Sequence, residues 1–187
     1  IAISGTFAYQ LSERIVGGIT AKMALSYIGD YSSMAMGVDL GINYYDPDRE
    51  WSLSAVVKNL GGEIKAYDEE YNKMPIDLQI GASKTFAALP VRVSATLVDM
   101  THYDYSFRNH ICLGADILFS ESIWAGAGYN FRRNDEMKIQ DFEDESSHGA
   151  GLTLGAGVNL DRFKINVAYG KFHVSASSII INAAFSL

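Results

Sequence analysis

Apolar residues alternate one for one with small or polar residues along almost the whole chain. That period of two is the spacing of the two faces of a β-strand. From Ile15 the odd positions read Ile15, Gly17, Ile19, Ala21, Met23, Leu25, Tyr27, against Val16, Gly18, Thr20, Lys22, Ala24, Ser26. The same rule sets Met36, Val38, Leu40, Ile42 and Tyr44 against Gly37, Asp39, Gly41 and Asn43, and Trp51, Leu53, Ala55 and Val57 against Ser52, Ser54 and Lys58. It continues through Ile76, Leu78, Ile80; Val91, Val93, Ala95, Leu97; Ile111 to Phe119; Ile123 to Phe131; Ala150 to Val158; Phe163 to Tyr169; and Ile179 to Leu187. With Ile1, Ile3, Phe7 and Tyr9 at the start, about eleven strands are predicted. Strands of about ten residues each place more than half the chain in sheet, against ~20–25% in an ordinary soluble domain.

Composition narrows the classes. The 187 residues, 48% hydrophobic and 20% charged, suit an ordered single domain and are too apolar for disorder. A formal charge of -7 without a Lys/Arg cluster excludes a nucleic-acid surface, whose affinity comes from neutralised phosphates. The lone thiol, Cys112, can form neither an internal disulfide nor a Cys-based metal site. No apolar run approaches the ~18 residues of a spanning helix, or even a signal-peptide core. A mean hydropathy of +0.03 therefore reads as soluble by the usual criterion. Alternation gives the same average by another route, because about ten tilted residues cross a bilayer as a β-strand.

The face opposite the apolar one decides between these routes. A water-exposed sandwich face carries many Lys, Glu, Thr and Arg. This one is mostly Gly, Ala, Ser, Thr and Asn, with isolated charges at Lys22, Asp39, Lys58, Asp77, Arg92, Asp116 and Lys164, as in a crowded barrel lumen. Aromatics on the apolar face gather near strand ends: Tyr9, Tyr44, Trp51, Phe86, Phe119, Phe163 and Phe185 at one, Tyr27, Tyr129, Phe131 and Tyr169 at the other. These are the two girdles of a membrane barrel. Connections alternate between short (11–14, 46–50, 88–90, 120–122, 161–162) and longer (near Asp30, 63–75, 101–110, 134–148, near His173), matching periplasmic turns and outer loops. The expected fold is all-β, a transmembrane antiparallel up-and-down β-barrel. An odd strand count, set against the even numbers of bacterial barrels, predicts that residues 1–187 are the C-terminal part of one barrel domain with N-terminal strands missing.

Chemistry-bearing constellations are sparse. His102, His110, His148 and His173 all fall in outer loops or at strand exits with no metal-ligand spacing, and read as solvated. Ser146 and Ser147 beside His148, or Ser175 near His173, lack the third group of a nucleophilic site. Gly126/Gly128 and Gly155/Gly157 relieve crowding more simply than they cradle phosphate. The 134–148 loop, with Asp141, Glu143 and Asp144, is either a solvated acidic loop, a site for cations shared with lipopolysaccharide, or a dock for a basic partner. The polar-face charges either line a conduction path or brace a closed barrel. No enzyme, cofactor or metal is expected.

Several stretches resemble a known family. They are Asp30-Tyr31-Ser32-Ser33; Gly37-Val38-Asp39-Leu40-Gly41-Ile42-Asn43-Tyr44-Tyr45-Asp46-Pro47-Asp48; Lys58-Asn59-Leu60-Gly61-Gly62 followed by Lys65-Ala66-Tyr67-Asp68; Gly128-Tyr129-Asn130-Phe131-Arg132-Arg133 with Glu136-Met137-Lys138; and Ala168-Tyr169-Gly170-Lys171-Phe172-His173-Val174. Together they look like the PorQ family of outer-membrane barrels in the type IX secretion system, related to PorV and to FadL-type transporters. The resemblance implies a fourteen-stranded barrel, of which about eleven strands are present, in the outer membrane of a Gram-negative bacterium of Bacteroidetes type. It also implies a non-enzymatic anchor for the cell-surface attachment complex, with a PorZ-like partner, PorU and PorV in the same assembly and outer-membrane lipid and lipopolysaccharide around it. The alternative is a FadL-like transporter of hydrophobic compounds. Candidate docking residues on the 63–75 and 134–148 loops are Glu63, Lys65, Tyr67, Asp68, Asp141, Glu143 and Asp144, with Arg132 and Arg133 just before the second loop.

Overall fold

A computed structural model of the chain describes residues 1–28, 31–66, 71, 73–86, 88–137, 139–140, 145–146, 149–173 and 176–185. Two compact units divide it: Ile1–Gly81 with Val98–Tyr103, and Ala82–Leu97 with Asp104–Leu187.

The first unit holds β1 (Ala2–Ser12), β2 (Ile15–Ile28), β3 (Tyr31–Asp46), β4 (Trp51–Lys65) and the opening residues of β5 (Asp77–Phe86). Its register keeps like with like: Phe7, Ile19, Leu40 and Val57 form one cross-strand row, and Thr6 and Thr20 oppose each other on the other face with hydroxyls 2.9 Å apart. The short turns are built by side chains. Asp46 Oδ1 accepts from the N–H groups of Asp48 (3.1 Å) and Arg49 (3.4 Å), with Pro47 presetting the bend. Arg14, from the neighbouring turn, reaches Asp46 at 3.4 Å and Asp48 at 2.7 Å. A hydrogen bond with Tyr44 and then the charge of Asp46 hold its guanidinium protonated beyond its ordinary range.

The second unit holds the rest of β5, then β6 (Val91–Leu97), a 3₁₀ turn (Phe107–His110), β7 (Ile111–Leu118), β8 (Ile123–Asn130), a one-and-a-half-turn helix α1 (Phe131–Glu136), a two-residue hairpin of β9 (Ile139–Gln140) and β10 (Glu145–Ser146), β11 (Leu152–Asn159), β12 (Phe163–His173) and β13 (Ala176–Phe185). The apolar row here is Val91, Ile117, Ala125, Ala156, Val167 and Ile181.

Eleven strands follow one another in chain order, β1-β2-β3-β4-β5-β6-β7-β8-β11-β12-β13, an all-β antiparallel up-and-down meander as the alternation predicts. Among the described residues β1 and β13 each pair on one side only, so the sheet is open. No helix is long and apolar enough to cross a membrane.

Alternation predicts a strand through Phe131, but the structure ends β8 at Asn130 and starts α1 there. Asn130 is in extended conformation and its Oδ1 accepts from Arg133 N–H at 2.9 Å, an N-cap that turns the chain into a helix. In β4 the strand runs on to Lys65, past a β-bulge at Lys58–Asn59 opposite Asp39, where Asn59 takes φ 62°. Glu63 and Lys65 thus lie in the strand and not in the following loop.

Candidate functional site

The two faces of the sheet carry the candidate functional side chains. On the apolar face side chains stand exposed along each unit: Phe7 at 68% and Ile19 at 52% in the first, Ile181 at 70% and Ile165 at 49% in the second. Among the described residues Ala150 is the one buried apolar residue. A soluble sandwich of this length would enclose a contiguous core between two sheets, and monomers in water rarely expose apolar patches beyond a few hundred Å². Here the apolar side chains of each unit share one face of the sheet and have no second sheet packed on them.

On the opposite face the first unit carries a charge network. Lys22 Nζ lies 2.7 Å from Asp39 Oδ1 and donates to Asn59 Oδ1 at 2.7 Å, while Asn59 N–H donates to Asp39 Oδ1 at 2.8 Å. Lys22 is directly opposite Gly37 and reaches Asp39 on the diagonal, since Asp39 itself pairs with Thr20. Asn59 Nδ2 also donates to the carbonyl of Pro75 at 2.9 Å, and Met74 N–H donates to Gly61 at 3.1 Å. Met74 sulfur then fills the space left by Gly37. The bulge therefore ties the end of the 63–75 connection to the polar face. Asp77 serves a backbone role, accepting from Asp99 N–H at 2.7 Å and Gln79 Nε2 at 2.5 Å. Lys58 is half-buried beside the bulge.

The second unit has an ion pair and a glycine pavement. Arg92 and Asp116 are direct cross-strand partners, with Nε and Nη2 on the same carboxylate oxygen at 2.9 and 2.8 Å. Gly126 follows Asp116 in that row, and a Cβ there would collide with the carboxylate. One row along, Trp124 lies over Gly155 and Gly157, whose missing side chains leave room for the indole. Trp124 sits at a polar-face position by parity, a signal that the search for girdles passes over. Lys164 is exposed, opposite Asn159 and Ala184.

The docking candidates separate. Glu63 accepts from Ser33 Oγ at 3.3 Å and Lys65 donates to Ser32 Oγ at 2.5 Å, so both brace β4 against β3. Tyr67, Asp68, Asp141, Glu143 and Asp144 lie outside the described residues. Arg132 and Arg133 are on α1: Arg132 reaches Glu136 at 3.6 Å and stacks over Tyr105 at 5.2 Å, while Arg108 stacks over Phe131 at 5.1 Å. These reciprocal cation–π contacts brace the 3₁₀ turn against α1, an arrangement that requires both turns to be known.

The histidines are more ordered than expected. His110 is 8% exposed and packs edge-on to Tyr105, and His102 Nδ1 meets Asp99 Oδ1 at 2.5 Å. The histidine at 148 and the side chain of His173 lie outside the described residues. Among the described residues no His/Cys/Asp/Glu group could hold a metal ion.

No curated protein matches the chain. The sequence profile of the type IX secretion system membrane protein PorP/SprF matches residues 4–178, and the chain belongs to that family, a membrane component of the type IX secretion system.

Proposed function

We propose that the chain forms wall strands of an outer-membrane β-barrel that serves the type IX secretion system as a non-enzymatic anchor. The observation that carries this reading is the eleven-stranded sheet whose apolar face is exposed or half-buried, with one buried apolar residue among those described. A bilayer satisfies the first and tolerates no open sheet edge, so β1 and β13 both find strand partners when the barrel closes. The motif resemblance supports a size of about fourteen strands and a host of Bacteroidetes type.

In this reading the paired charges are braces. A Lys or Arg at the bilayer midplane on the lipid side costs about 2–4 kcal/mol and an Asp less, and Lys22, Asp39, Arg92 and Asp116 avoid that by facing the interior in pairs. The outer connections dock partners of the secretion system. The motif resemblance favours a PorQ-like role, holding a PorZ-like surface protein with PorU and PorV. No specific observation favours a FadL-like transporter.

The test is extraction and copurification of the complete protein. Detergent-dependent solubility, heat-modifiable gel migration and a stoichiometric secretion-system partner are expected. A protein that stays in solution without detergent and migrates identically before and after boiling would sink the barrel. A folded barrel that purifies with a hydrocarbon and no protein partner would sink the anchor.

A further inference from the structure

On the apolar face of the second unit, outward positions do not all carry large side chains. Along β12 and β13 they are Ile165, Val167, Tyr169, Ile179 and Ile181 with a single small residue, Ala183, whereas Ala115 and Ala127 sit directly opposite each other on β7 and β8, and Ala125 and Ala156 on β8 and β11. Ala115 and Ala127, with Gly114 and Gly128, line a shallow depression of about 230 Å³ together with Leu113, Tyr129 and Leu152. Large side chains on every outward position would make the face flush; this one has a dent.

At the Tyr129 end the chemistry changes sign. The Tyr129 ring meets Phe131 edge-on, with centroids 4.9 Å apart, and Arg108 is stacked 5.1 Å over Phe131. Arg108 is exposed, and a cation–π contact consumes none of its N–H donors. Arg132 stands over Tyr105 in the same cluster. In a chain with a formal charge of -7, this puts the Arg108 guanidinium next to the aromatic pair at one end of an apolar dent, on the side where the long connections leave the strands.

We propose that this dent and Arg108 form a site for one phosphorylated acyl lipid of the outer leaflet, of the lipid A kind, with a segment of acyl chain over Ala115 and Ala127 and a phosphate on Arg108. The proposal rests on the barrel reading above. In a bilayer the tails of bulk lipid are as apolar as the protein, so shape and the headgroup carry selectivity. The alanine floor supplies dispersion contacts that a flush wall lacks. The guanidinium fork matches a phosphate in two parallel hydrogen bonds, and its stacking on Phe131 fixes its position.

The complete protein, purified in mild detergent, is reconstituted into phosphatidylethanolamine vesicles carrying either diphosphoryl or dephosphorylated lipid A, and retained lipid is read by native mass spectrometry. The wild type is expected to retain the diphosphoryl form about tenfold more than the dephosphorylated one. Arg108→Gln abolishes that preference, Arg108→Lys keeps part of it, and Ala127→Phe lowers retention of both forms. Ala115→Leu carries the last arm if Ala127→Phe does not fold. The proposal is overturned if the heat-modifiable wild type shows no preference, if Arg108→Gln and Ala127→Phe retain lipid as the wild type does, or if a protein segment occupies the face instead. A wild type that is soluble without detergent fails at the barrel, a result distinct from a folded barrel without lipid preference.

Discussion

The polar faces of the two units solve the same problem differently. In the first, charge is met by charge and amide: Lys22, Asp39 and Asn59 form a closed set around a bulge. In the second, crowding is relieved by omission: glycines at 126, 155 and 157 make room for Asp116 and Trp124. One face is held by polar groups that satisfy one another; the other has the Arg92–Asp116 pair but depends most on side chains that are not there. The difference teaches where each is fragile. A network fails when a member is deleted, whereas a pavement fails when something is added.

Deletion in the first unit is expected to have the largest effect. Asp39→Ala leaves the Lys22 ammonium, about a quarter exposed, without its counter-charge, and should cost about 2–4 kcal/mol in urea unfolding from vesicles. The double variant Lys22→Met/Asp39→Leu should recover most of it. If the single and double variants are equally unstable, the pair is no network.

Addition in the second unit comes next. Gly126→Val drives a side chain into the Asp116 carboxylate and should cost about 1–3 kcal/mol, while Ala125→Val on the apolar face, one residue away, should be nearly neutral. Equal losses at both positions would erase the distinction between the faces.

Asn59 sharpens the first half of the comparison. Asn59→Ala loses both side-chain hydrogen bonds and must hold φ 62° without an amide, a loss of about 1–2 kcal/mol; Asn59→Gly relieves the backbone and should be milder. Protease cleavage near Pro75 is expected to quicken in both, since each loses the bond to its carbonyl. Identical stability of the two would mean that the side chain alone matters.

The smallest effect belongs to Arg92→Ala. Its guanidinium is 43% exposed, so the ion pair with Asp116 should be worth about 0.2–1 kcal/mol and should weaken further in salt. A loss as large as that for Asp39→Ala would show that charge pairing, and not burial, sets the ranking.

The fold was legible because alternation reports the face of every strand residue, and Phe7, Ile19 and Leu40 share a row as their parity requires. The bulge left a trace too: Val57 and Leu60 are both apolar with two residues between them, a break that one extra residue in β4 explains. Other features were hidden because they depend on contacts distant in sequence. Nothing local says that Arg108 will meet Phe131 or Arg132 meet Tyr105, since helix α1 and the 3₁₀ turn must first be placed. His110 is buried for the same reason. Lys22, Asp39, Arg92 and Asp116 lie on strands that alternation predicts, yet which of them pair is a matter of register: Arg92 and Asp116 are direct partners, while Lys22 reaches Asp39 on the diagonal.

The bulge at Asn59 also bears on how the sheet is put together. Strands rich in small residues slide easily, and a slip of one residue would move every side chain of the apolar face to the polar one. Along β8 and β11 the partners Gly126 and Gly155 offer little to oppose such a slip. β4 is different, because a single residue there must meet Asp39, Lys22 and the Pro75 carbonyl together. The bulge is a key cut for one position in its lock, and it gives strand addition a place from which counting can start.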